Sequence, residues 1–315
     1  MGKRRGRQRS DREVTLKNDN ITKKAAVVPL NSNAALPTSS VDVDLLGYLR
    51  SAENMLFESV SDDEKHGILS SIFQEIGHSF WSIAMDQEGS TILESVLINA
   101  ASNSSFDDNI ISFLKDVQGT ILDYCLHPFA SHVVQSVFIV ASKRISATLR
   151  TGEDDTTASV DELIQLMSSL CENEILSGIN LLLFDQYGSH VLRVLLAVLA
   201  GLGLNDGINR TLRSHKSDTF RKKDSRPIAS DLLKINFKMP PSLNVRCGDL
   251  ITEICHDLRA GNVRNFASNP LISAILQVCI KIVANSDDMG PILTQLLDLV
   301  LVGYFSSGMI YNYEC

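Results

Sequence analysis

One short pattern, returning four times, constrains what this chain can fold into more than any other feature. Its clearest copy is Asp185-Gln186-Tyr187-Gly188-Ser189-His190-Val191-Leu192-Arg193-Val194-Leu195-Leu196. Asp185 stands where an N-cap carboxylate accepts the first free N–H groups of a helix. Val191, Leu192, Leu195 and Leu196 fall on one stripe of a 3.6-residue period and have to be buried against a neighbour. Ser189 and Arg193, four apart, project together from a different edge, with His190 beside them. Asp86 to Glu94, His127 to Gln135 and Asn269 to Gln277 repeat the arrangement. In each, a capping or polar residue lies four before a Ser, branched or long aliphatics follow, and a hydrogen-bonding side chain comes four after the Ser. Packing alone requires the aliphatics. It does not require a Ser with Glu, Gln or Arg one turn later, so function is written at those positions.

The rest of the chain frames these motifs. Its 315 residues are enough for a substantial core. No apolar run approaches the length of about eighteen residues that a membrane span needs, and the basic N-terminus is followed by no long apolar segment, so no secretory signal is read there. From Val41 onward the apolar residues recur with helical period and no segment alternates as a strand does, which makes the expected fold all-α. Apolar helical runs over Asp62–Glu75, Asp108–Leu114 with Ile121–Leu126, Val160–Ile179 and Leu250–Leu258 each lead into one Ser-centred helix.

The four serines are 41, 58 and 84 residues apart. The first interval suits a helical solenoid, and the others approach it if residues near 144–160 and 204–245 are insertions. The expected architecture is therefore a curved α-solenoid over 41–315, holding four repeats and the start of a fifth, behind a disordered tail over 1–40. Pro291–Val302 resembles the helix that precedes each Ser-centred one, and the sequence then stops without a capping repeat, so further C-terminal repeats are expected.

Charge is unevenly placed. The net charge is −8, yet residues 1–24 carry nine Lys/Arg against three acids, and Arg210–Arg226 holds seven Lys/Arg against Asp218 and Asp224. Concentrated cations of this kind suit a polyanionic partner, and the N-terminal run suits a nuclear or nucleolar address. The six cysteines are scattered and never spaced Cys-x-x-Cys. Cys247 and Cys255-His256 come nearest to a metal cluster but lack the two compact pairs of a zinc site, so no metal or other cofactor is expected. No recurring nucleophile, base and orienter and no phosphate loop are present, and catalysis is not expected.

The four motifs resemble Pumilio (PUF) repeats, in which one helix per repeat reads one base of single-stranded RNA with two or three side chains. The resemblance assigns the RNA-contacting triplets Ser90, Thr91 and Glu94; Ser131, His132 and Gln135; Ser189, His190 and Arg193; and Ser273, Ala274 and Gln277. The first and last of each triplet are expected at the base edge and the middle one stacked between bases. Ala274 cannot stack and Thr91 stacks poorly, so the outer repeats grip less. The basic start, Leu46-Gly47-Tyr48-Leu49 and Phe73-Gln74-Glu75-Ile76-Gly77 narrow the resemblance to the insertion-bearing nucleolar protein 9 branch. That branch implies a monomeric nucleolar protein bound to pre-ribosomal RNA and the proteins of pre-ribosomal particles during small-subunit (18S) processing. Arg221, Lys222 and Lys223 are expected to touch phosphates. The competing expectation is a HEAT/armadillo-like scaffold that binds protein and reads no bases.

Overall fold

Several helices begin at side-chain caps that the sequence offers. In a computed structural model, which describes residues 41–59, 61–151, 158–204, 229–259, 269–286, 289–292 and 294–298, no residue is in a strand. Asp42 caps α1 (Val43–Glu58), and Ser61 with Glu64 forms a reciprocal capping box at the start of α2 (Asp62–Ile76). The short α3 (Phe80–Ala84) then leads to α4 (Gln87–Ala100). The same long–short–long order returns as α5 (Asp107–Asp116), α6 (Ile121–Leu126) and α7 (Ala130–Thr151). It returns again as α8 (Ala158–Leu170), α9 (Ile179–Phe184) and α10 (Gly188–Leu199). The fourth copy shows its outer helices, α11 (Pro241–Arg259) and α12 (Pro270–Ala284).

Equivalent helices stack on one another. The Ser-centred helices pack in series, α4 on α7, α7 on α10 and α10 on α12, while α5, α8 and α11 form a parallel series behind them. This is the helical solenoid that the period implied. Its core is continuous. Phe80 and Trp81 from the first repeat meet Phe113 and Tyr124 from the second, with Phe80 stacked on Phe113 at 3.7 Å between ring centroids. Trp81 Nε1 donates to the Phe113 carbonyl at 3.0 Å, so the buried indole N–H is satisfied. Within the stretch expected to open a fifth repeat, residues 290–292 and 294–298 are helical, and Leu296 is buried.

Three local expectations change. The run expected to be continuous over Val160–Ile179 breaks after Leu170, where Cys171–Ile175 forms a π-helical turn before α9. Helix α7 continues to Thr151 and α8 starts at Ala158, so most of the first supposed insertion is helix. Its apolar positions Ile145 and Val160 are buried, and core packing carries the helices past the point where their periodicity fades. In the second insertion, Ala229–Leu233 forms a 3₁₀ turn and α11 already begins at Pro241. The N-terminal tail 1–40 and the run Arg210–Arg226 lie outside the described residues.

Candidate nucleic-acid interface

Each motif is built from a cap outward. Asp86 Oδ1 accepts from the N–H groups of Glu88 and Gly89 at 2.9 and 2.8 Å, and Asp185 Oδ1 from those of Tyr187 and Gly188 at 2.7 Å each. Asn269 accepts from Leu271 N–H at 2.9 Å. In the second repeat the cap is a histidine: His127 Nδ1 accepts from the N–H groups of Phe129 and Ala130 at 3.3 and 3.2 Å. The residue before each of the first three serines is Gly, Ala and Gly, because the short helix of the repeat crosses there. A Cβ on Gly89 would lie 2.5 Å from the Ile83 carbonyl oxygen, and one on Gly188 would lie 3.0 Å from Leu182 Cα. Close approach at this point fixes the register of the Ser one residue later.

The histidine cap has a pH signature. Nδ1 can accept only while it carries no proton, and partial burial lowers the His127 pKa from its ordinary value. With the folded pKa below that of the unfolded chain, the unfolded ring protonates first as pH falls. The cap's contribution is therefore complete above about pH 6.5 and is lost as pH drops below it. His127→Asp keeps a cap that stays charged in this range. Chemical denaturation at pH 7.5 and 5.5 is expected to show the parent losing more stability than His127→Asp between the two. Equal losses would mean that His127 is not acting as the cap.

The identical register gives α4, α7 and α12 the same division of faces. Ile92, Leu93, Val96 and Leu97 on α4 are buried, as are Val133, Val134, Val137 and Phe138 on α7 and Ile275, Leu276, Val278 and Cys279 on α12. Counting from the Ser as position one, the middle and last members of each triplet are positions two and five, and they keep surface in these repeats: Thr91 and Gln277 are exposed, and Glu94, His132, Gln135 and Ala274 are half-buried. Because α4, α7, α10 and α12 are neighbours in series, these side chains share one stripe, to which α10 adds only the half-buried His190.

The serines are set deeper than the sequence implied. Ser90, Ser131 and Ser189 are buried, and only Ser273 keeps partial exposure. Ser90 and Ser189 donate to the carbonyls of Gln87 and Gln186 at 3.0 and 3.1 Å, whereas the buried Ser131 hydroxyl has no partner among the described residues. The expectation that Ser189 and Arg193 project from an open edge does not hold. Arg193 is 3% exposed, its Nε donates to the Ser189 carbonyl at 3.0 Å, and loss of solvation lowers its pKa to about 10. The reason lies in α10 itself. Every residue from Val191 to Leu199 is buried, as befits a helix that is apolar on all sides and packed between α7 and α12. His190 is half-buried. The fifth-position side chains of the second and fourth repeats also fold back one turn, Gln135 Nε2 to the Ser131 carbonyl at 3.1 Å and Gln277 Nε2 to Ser273 Oγ at 3.5 Å.

The remaining candidates separate cleanly. Cys247 and Cys255 are buried while the His256 side chain is 76% exposed, so the three do not converge. Burial raises the Cys171 thiol to about 12 and pushes Cys125, Cys247 and Cys279 up as well, which makes them unreactive core residues. Arg221, Lys222 and Lys223 lie outside the described residues. Among the described residues, no helix is long and apolar enough to cross a membrane.

Stacked three-helix repeats with one shared polar stripe define a helical-repeat solenoid of the Pumilio type. A model of the NOP9-like PUF repeat domain matches residues 80–308, and the chain belongs to that family. It is 27% identical to the nucleolar protein 9 of Komagataella phaffii over 303 residues, covering 90% of this chain and 45% of that protein. Against the nucleolar protein 9 of Meyerozyma guilliermondii it is 26% identical over 289 residues, covering 89% of this chain and 40% of that protein. The chain thus spans less than half the length of these relatives. Among solved structures, the complex of APUM23 with GGAAUUGACGG superposes with a TM-score of 0.53 at 20% identity, covering 83% of this chain and 43% of that one. A second APUM23 complex, with GGAGUUGACGG, gives a TM-score of 0.50 at 17% identity.

Proposed function

We propose that this chain binds single-stranded RNA sequence-selectively along the stripe formed by α4, α7, α10 and α12, acting as a non-enzymatic factor on pre-ribosomal RNA in the nucleolus. The observation that carries the reading is the stripe itself. Four helices in consecutive contact carry hydrogen-bonding side chains at one register, and on α4, α7 and α12 those side chains keep surface, which a packing role alone does not require. Membership of the NOP9-like PUF repeat family supports it, as do the names of the relatives and the RNA in the APUM23 complexes. In this reading Glu94 takes a guanine edge, because a carboxylate accepts from both N1–H and N2–H₂, and Gln135 and Gln277 take adenine, because an amide both donates and accepts. His132 and His190 stack against bases. The same code would give Arg193 cytosine, but Arg193 is buried on α10 and its Nε is held by the Ser189 carbonyl, so no base is assigned to it. Ser90, Ser131, Ser189 and Ser273 back the fifth-position side chains from beneath.

Arg221, Lys222 and Lys223 add sequence-independent phosphate contacts in this reading. The finer assignment, to small-subunit (18S) processing alongside pre-ribosomal particle proteins, rests on likeness to the nucleolar protein 9 family. Filter binding of the purified chain to a random-sequence RNA pool at several salt concentrations tests the proposal. The expected result is saturable binding whose affinity falls steeply with salt, followed by enrichment of a short consensus. Failure to retain RNA even at low salt would leave the protein-binding scaffold as the better account.

A further inference from the structure

The insertion between the third and fourth repeats does not simply leave the solenoid. Its two ends are closed against each other at the base. Phe237 N–H donates to the Gly201 carbonyl at 2.9 Å, and Gly203 N–H donates to Asn236 Oδ1 at 2.8 Å. The approach is too close for side chains: a Cβ on Gly201, whose φ is +66°, would meet the Phe237 carbonyl oxygen at 2.1 Å, and one on Gly203 would meet the Ile235 carbonyl carbon at 2.4 Å. This closure directs the returning segment, through the 3₁₀ turn Ala229–Leu233, onto α7 and α4, two repeats back along the stack.

Where it lands is informative. Segment 232–238 and the C-terminal half of α7 enclose a pocket of about 370 Å³ whose walls carry Lys143, Arg150, Lys234 and Lys238. The only carboxylate that pairs with any of the four among the described residues is Asp231, 3.7 Å from Lys234 and exposed. Phe237 and Leu232 supply an apolar side. Lys143 and Arg150 follow His132 by eleven and eighteen residues, three and five turns of helix, so they share the face of α7 that carries the base-reading residues. Lys143 stands about 16 Å farther along the helix, at 1.5 Å per residue.

We propose that this pocket is a second RNA contact, created by the insertion, in which Lys143, Arg150, Lys234 and Lys238 hold backbone phosphates of the strand flanking the bases read on the stripe, with Phe237 offering an aromatic face to an adjacent base. The proposal rests on the RNA-binding reading above. RNA is favoured over an acidic protein surface because the cations continue the face of α7 that the reading stripe occupies, and because an aromatic ring among cations suits a nucleotide chain.

The test compares the parent chain with Lys234→Glu/Lys238→Glu, both positions being exposed and free of core packing. The control is Lys65→Glu/Lys115→Glu, an equal charge change on α2 and α5. The probes are short and long oligouridylates, which report phosphate contacts without base selection. With long oligouridylate the pocket variant is expected to bind about tenfold more weakly and to lower the salt slope by about 1 to 2, while the control stays close to the parent. With the short probe, which cannot span stripe and pocket, the difference shrinks. If the parent binds and the pocket variant matches it on the long probe, the pocket assignment is overturned and RNA binding on the stripe survives. If the parent binds no oligouridylate and enriches no consensus from the random pool, both readings fall together. Unchanged RNA affinity with loss of a co-purifying acidic protein would reassign the pocket to protein.

Discussion

Asp107→Ala is expected to destabilise the second repeat by about 3–5 kcal/mol, because it strands a buried cation. Arg144 on α7 reaches Asp107 at the start of α5 with both ends of its fork, Nε to Oδ1 at 2.7 Å and Nη2 to Oδ2 at 3.1 Å. The two side chains are only 13% and 7% exposed, so water cannot replace the carboxylate once it is removed. The pair pins the C-terminal half of α7 to the helix behind it, next to the residues that wall the basic pocket. Replacing both partners, Asp107→Leu with Arg144→Met, removes the stranded charge and is expected to recover most of the loss, since a buried ion pair is itself close to neutral against apolar packing. Chemical denaturation, with hydrogen exchange to localise the change to α5 and α7, checks both. A loss under about 1 kcal/mol for Asp107→Ala would mean that the pair behaves as an ordinary surface bridge.

The parts of this fold that were readable in advance are those fixed within one turn of helix. Asp86 and Asn269 cap where their spacing from the serines said they should, Asp185 instead holds the turn just ahead of α10, and the aliphatic stripes of α4, α7 and α12 are buried as their period required. The small residue before each of the first three serines is also a local signal, because Gly89, Ala130 and Gly188 occupy one register. Arg193 does not stand on the edge its spacing from Ser189 implies, and the reason is visible beside it. Val194 to Leu199 is apolar without a gap, so α10 has no outward edge on which an arginine could stand.

What could not be read depends on contacts between distant segments. Nothing local in Gly201-Leu202-Gly203-Leu204 says that it will lie against residues 233–237, and the basic pocket exists only because of that closure. Arg144 and Asp107, 37 residues apart, likewise carry no periodic signature of their pairing.

The central claim is that the fifth position of the motifs on α4, α7 and α12 reads a base, and Gln135 is the place to test it. Gln135 is half-buried on the stripe, in the repeat whose Ser131 hydroxyl lacks a partner and whose His132 keeps surface beside it. Its amide suits adenine, donating to N1 and accepting from N6–H₂; a carboxylate in its place can only accept, and so suits guanine. The measurement is a random-pool RNA selection with the parent chain and with Gln135→Glu, followed by affinities for the adenine and guanine versions of the selected sequence. The account predicts that one position of the consensus changes from adenine to guanine and that the affinity ratio at that position moves by about 1–3 kcal/mol, roughly five- to more than a hundredfold. If both proteins bind the two RNAs in the same ratio, Gln135 reads no base and the stripe is not a recognition surface.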